Sequence, residues 1–146
     1  MTFTLTLLIL VTLTFLAMSA FFSGSETALM KLSKIKIKHW MHSKPASREA
    51  WANWLSHPQE LISAILVGNT LVNVFISSLT AMIATRLFHT FRDEWVQTFA
   101  GGIAFLAVVM FGEVVPKILG RRNPERISSF ALGPLYSFSR FLGTPL

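Results

Sequence analysis

Phe111-Gly112-Glu113-Val114-Val115-Pro116-Lys117 is the stretch whose reading decides the fold. It closes residues 96–112, a run without any charged side chain. A carboxylate at the end of such a run loses its water at a high cost. Pro116 has no N–H, so in a helix the carbonyl of Gly112, four residues back, lacks its usual donor. A carboxylate beside a free backbone oxygen, facing a low-dielectric space, points to a cation. The plainer alternative is a proline kink whose acid reaches out to the interface.

The rest of the composition agrees with a chain that lives in lipid. Of 146 residues, 52% are hydrophobic and only 14% charged, too few charges for an ordinary soluble surface. The length suits one domain. There is no cysteine, which excludes a disulfide framework, a thiolate metal site and a cysteine nucleophile. The net charge is +6, but the first 25 residues carry no charged side chain, and the basic residues cluster after apolar runs. Nucleic-acid binding is not expected, since a basic groove needs a soluble fold to display it.

Working outward from Glu113, three spans are expected, at about 3–25, 60–85 and 96–116. Residues 3–22 are uniformly apolar, and at 1.5 Å per residue they can cross a hydrocarbon core of about 30 Å. A signal peptide would want a basic start and a shorter core. The run ends in Ser23-Gly24-Ser25-Glu26-Thr27-Ala28, and Ser19, Ser23 and Glu26 or Thr27 share a helix face. Gly24 lets another backbone come close. In the second span, which Pro58 can open, Asn69, Asn73 and Ser77 also share a face, and Gly68 again permits close approach. An amide in lipid is costly, so these groups should face protein, water or an ion. Helix–helix hydrogen bonding is the competing reading.

Juxtamembrane segments are expected at about 31–57 and 124–146. The first mixes Lys31, Lys34, Lys36, Lys38, Lys44 and Arg48 with Trp40, Trp51 and Trp54, a composition that suits the headgroup layer. Residues 45–57 read as a short helix lying on the membrane. Residues 127–146 read as an interfacial belt broken by Gly133-Pro134 and Pro145. A short polar loop covers 86–95, and Gly101, Gly102 and Ala104 offer the third span a small-residue patch. Lys and Arg number six in residues 26–60, two in 86–95 and four in 117–126. The positive-inside rule then puts the N-terminus outside and the C-terminus in the cytoplasm. With that topology, serine hydroxyls, asparagine amides, the Gly112 carbonyl and the Glu113 carboxylate lie at a similar depth. All are oxygen donors, which suits Mg²⁺, Ca²⁺ or Na⁺ and not zinc or copper.

Three motifs then carry a resemblance. Phe-Phe-Ser-Gly-Ser-Glu-Thr-Ala-Leu at 21–29, Leu-Val-Gly-Asn-Thr-Leu-Val-Asn at 66–73, and Phe-Gly-Glu-Val-Val-Pro-Lys at 111–117 followed by Arg-Asn-Pro-Glu-Arg at 122–126 resemble the transmembrane domain of the CorC/CNNM magnesium transporters. The resemblance covers nearly the whole chain as a single domain. It implies an all-α membrane fold, a homodimer with three spans per subunit, a place in the plasma (inner) membrane, and Mg²⁺ export driven by Na⁺ entry. It also implies an ion site at Ser23, Asn69, Asn73, Gly112 and Glu113, with Ser19, Ser25 and Glu26 as additional candidates and Pro116 as a structural kink. The family continues into cytoplasmic CBS domains that bind ATP in many members. This stretch lacks them, so ATP binding is not expected of it.

Two rival classes remain at this stage. A membrane anchor or assembly module would use the same polar residues only to pack helices, and its stability would not depend on ions. An intramembrane enzyme would need a Ser–His or paired-acid constellation. The four histidines lie outside the spans, so no enzyme is expected.

Overall fold

A computed structural model describes residues 2–43, 48–88 and 94–142. Among the described residues every regular element is helical and there is no strand. In chain order these are α1 (Thr2–Lys31), α2 (Lys34–Ser43), α3 (Arg48–Ser56), α4 (Pro58–Phe88), α5 (Glu94–Val109), a π-helical segment (Met110–Val114), α6 (Val115–Arg122) and α7 (Pro124–Phe141). Three stretches are long and apolar enough to cross a membrane: Phe3–Lys31, Pro58–Leu87 and Thr98–Arg122. They contain the first two expected spans and overlap the third from Thr98 on, and the first and third run further at their C-terminal ends, because nothing in residues 26–31 or 117–122 breaks a helix. Pro58 does open α4, and Glu60 in the first turn suits the positive end of the helix dipole. Residues 89–93 of the expected loop at 86–95, and the prolines Pro45 and Pro145, lie outside the described residues.

Helix α1 is the centre of the bundle and packs against α4, α6, α7 and the π segment. Its crossing with α6 is set by two glycines. A Cβ on Gly120 would sit 2.4 Å from the Gly24 carbonyl oxygen, and one on Gly24 would sit 3.2 Å from that of Pro116. The close approach expected at Gly24 is therefore one backbone against another. At Gly68 it is different: the space is filled by the ring ends of Phe22 and Phe138.

The juxtamembrane helices depart from expectation. Trp51 and Trp54 are buried, packed in one apolar cluster with Leu29, Ile37, Ile65 and Leu132. The aromatic face of α3 thus turns inward onto α4 and α7. The apolar area available on the bundle outweighs the modest gain of an indole at the interface. Likewise α7 is unbroken through Gly133 and Pro134. Ser128, Ala131, Leu132, Leu135 and Ser139 form a buried stripe at helical spacing, while Pro134 lies on the exposed face. Two polar ties join these outer helices: Lys36 pairs with Glu125, and the Tyr136 hydroxyl donates to Glu49 at 2.8 Å.

The third span is the least covered. In its most apolar window 6% is buried, against 39% for the second span, so its outer face is left to lipid or to another chain. Phe99, Ile103, Phe105, Leu106 and Phe111 are exposed, and nothing lies within 4 Å of where a Cβ would stand on Gly101 or Gly102.

Candidate functional site

Pro116 does not produce a simple kink. The helix absorbs its missing N–H by widening into the π segment, in which the Val115 N–H bonds to the Met110 carbonyl five residues back. The helix then resumes as α6, with Pro116 in its first turn. The widening surrounds Gly112. That residue is buried, and a Cβ there would meet Leu16 Cδ1 at 2.9 Å and Ser19 Oγ at 3.5 Å. The glycine lets α1 approach this carbonyl without displacing the Leu16 side chain.

The hub of the polar cluster is Ser19, itself buried. Its Oγ lies 2.9 Å from Asn73 Oδ1, 3.3 Å from Asn69 Oδ1 and 3.3 Å from the Gly112 carbonyl oxygen. A hydroxyl has one proton to donate. Three acceptors therefore converge on a single O–H, and at least two keep lone pairs without a donor from it. Such an arrangement is costly in a low-dielectric interior unless something positive joins it.

The other expected site residues are placed as follows. Ser23, one turn along α1, is fully buried, and its Oγ has no hydrogen-bond partner. Ser25 is turned away and donates to the Phe21 carbonyl of its own helix. Ser77, on the asparagine face by spacing, is exposed and donates to the Asn73 carbonyl. Glu26 lies on the wall of a cavity of about 450 Å³ together with Thr27, Met30, Lys31, Lys117 and Arg121. Among the described residues no group of three or more His, Cys, Asp and Glu forms a metal cluster.

One expectation about the motif changes. The Gly112 carbonyl is not left free, since it accepts from Ser19. Lys117 turns back onto the acid. Its Nζ lies 2.9 Å from Glu113 Oε1, one helical turn back, with the two side chains 37% and 38% exposed. Spacing of i, i+4 with the acid first is the favourable order for such a pair, and the sequence held that signal. The central role of Ser19 over Ser23 had no sequence signal, because both lie on the same face of α1.

The comparisons with known proteins bear on this arrangement. The family profile described as Cyclin M transmembrane N-terminal domain matches residues 9–146. The UPF0053 inner membrane protein YfjD of Escherichia coli (strain K12) is 38% identical over 120 residues, covering 80% of this chain and 27% of that protein. A UPF0053 protein of Haemophilus influenzae is 33% identical over 116 residues, with the same coverage of 80% and 27%. A UPF0053 protein of Synechocystis is 30% identical over 124 residues, covering 85% of this chain and 34% of its own. The chain thus spans about a quarter to a third of the length of these relatives. With three helices long and apolar enough to cross a membrane and a family profile matched over nearly its full length, the chain belongs to the CorC/CNNM family, as its Cyclin M transmembrane N-terminal domain.

Proposed function

We propose that this chain is the membrane-spanning part of a magnesium transporter, which lets Mg²⁺ out of the cell as Na⁺ enters. The observation that carries the reading is the convergence of the Asn69, Asn73 and Gly112 oxygens on one hydroxyl, Ser19. Every atom in that set is a hard oxygen donor, as Mg²⁺ and Na⁺ require. The unpartnered Ser23 hydroxyl and the Glu113 carboxylate complete the proposed site. A single acid makes it weak enough to release its ion, and Mg²⁺ would keep part of its water.

In this reading the protein sits in the plasma (inner) membrane, with its N-terminus outside and C-terminus in the cytoplasm, and acts as a transporter and not as an enzyme. It works as a homodimer, for which the open face of the third span gives room. ATP is not a ligand of this stretch.

A metal-dependent thermal shift of the purified protein, comparing Mg²⁺ with Ca²⁺ and Na⁺, tests the reading. Glu113→Gln keeps the size and removes the charge. It should abolish Mg²⁺-dependent stabilisation and transport while leaving a folded protein, and Asn73→Ala should weaken binding by less. A Gln variant stabilised by Mg²⁺ like the parent would make these residues helix-packing groups of a membrane anchor.

A further inference from the structure

The magnesium reading leaves Lys117 without a part, and its position gives it one. We propose that Lys117 is a tethered counter-ion of Glu113 that competes with the transported cation, and that the cavity beside Glu26 receives its ammonium when the cation binds. The inference rests on the proposed Mg²⁺ site.

Four observations carry it. Lys117 Nζ holds Glu113 Oε1 at 2.9 Å, so it occupies a carboxylate oxygen that an incoming cation would need. Between Thr98 and Pro116 there is no Lys or Arg, so no basic group of the third span on the N-terminal side of the pair could take its place. Both partners are more than a third exposed, so neither is walled in by neighbouring helices and they can part without rearranging the bundle. Finally, Lys117 also lines the cavity of about 450 Å³ at the ends of α1 and α6. Glu26 lies on that wall, and among the described residues its carboxylate has no hydrogen bond or ion pair.

The remaining charges of the cavity fit this use. Lys31 is drawn aside, with its Nζ donating to the Arg121 carbonyl at 2.9 Å, and that bond fastens α1 to the end of α6. Arg121 is exposed to water, which screens it. A lysine has four rotatable methylenes and three donors, so one side chain can serve Glu113 or Glu26 with little backbone movement. The strength is also suitable. A partly exposed ion pair is weak, so a divalent ion can displace it, and its loss should change apparent affinity only about two- to fivefold. A lysine in the ion's place balances the charge of the site between transport events.

The experiment uses the purified protein and Mg²⁺ alone. Magnesium binding is titrated for the parent, Lys117→Met, Lys31→Met and Glu26→Gln. The rate at which a water-soluble amine reagent acylates Lys117 is followed by mass spectrometry with and without Mg²⁺. Lys117→Met should lower the apparent Kd about two- to fivefold, and Lys31→Met, a nearby charge that does not touch Glu113, should lower it less. In the Glu26→Gln background, where no second carboxylate receives the ammonium, saturating Mg²⁺ should speed acylation of Lys117, and adding Glu113→Gln should make that rate independent of Mg²⁺. Glu26→Gln should raise the Kd in the parent and do nothing in the Lys117→Met background. The proposal is overturned if Mg²⁺ binds but the acylation rate in the Glu26→Gln background does not change, or if Lys117→Met binds no more tightly than Lys31→Met. An effect of Glu26→Gln that persists without Lys117 would make Glu26 a ligand and remove the receiving role of the cavity. A parent that binds no Mg²⁺ would remove the magnesium reading and the competition together, whereas the preceding outcomes leave that reading standing.

Discussion

Gly120 faces Gly24 so closely that a Cβ on the first would stand 2.4 Å from the carbonyl oxygen of the second, and 3.3 Å from the Ala28 nitrogen. Both obstacles are backbone, so no side-chain rotation can make room. Gly120→Ala must push α6 away from α1, and overpacking of this kind costs about 1–3 kcal/mol. Gly102, with nothing within 4 Å, serves as the control. Gly102→Ala should be neutral or slightly stabilising through its better helix propensity, by up to about 1 kcal/mol. Melting curves in detergent check this, and equal shifts for the two variants would mean that the crossing is not limited by the missing Cβ.

The convergence on Ser19 makes a second prediction. Ser19→Ala removes one oxygen and the shared proton, so the Mg²⁺-dependent rise in Tm should shrink, with affinity falling about tenfold for loss of one polar contact. Ser77→Ala, on the same sequence face as Asn69 and Asn73 but bonded to its own helix, should leave the Mg²⁺ response unchanged. A Ser77 variant as impaired as the Ser19 variant would count against the cluster as described.

Topology gives a third. A cysteine at Thr4 should react with an impermeant thiol reagent added outside intact cells, and one at Lys38 should not. The basis is the six Lys and Arg of residues 26–60 against two in 86–95. Reaction at Lys38 alone would invert the orientation.

The strap between α3 and α7 gives a fourth. The Glu49 carboxylate that accepts the hydrogen bond of the Tyr136 hydroxyl, helped by partial burial, raises the phenol above its ordinary value of 10.0. A raised pKa means that the protonated form is favoured in the folded state. The stabilisation is therefore complete below pH of about 10 and lost as the pH rises through the folded value. Tyr136→Phe should lower Tm at pH 8, and the gap to the parent should close in strongly alkaline buffer. A gap that stays constant with pH would assign the effect to packing, including the contact of Arg140 over the ring at 5.9 Å.

The sequence by itself was enough for the three spans, the helical class and the polar faces of the first two. Length, hydropathy and the 3.6-residue period are local properties, and a hydrocarbon core permits few structures other than helices. The acid at 113 and the proline at 116 were visible as a disturbance for the same reason. What only the tertiary structure decided was which groups meet. Ser19 and Ser23 share a face, but the widened turn at Gly112 and the lack of a side chain there bring that carbonyl to Ser19. That Trp51 and Trp54 pack into one cluster with Leu29, Ile65 and Leu132 of other helices was likewise decided by the bundle. The pairing of Lys117 with Glu113 was allowed by spacing, but so was a lysine reaching into the cytoplasm. Choosing between two such rotamers depends on neighbours from other helices, and a one-dimensional period carries no information about them.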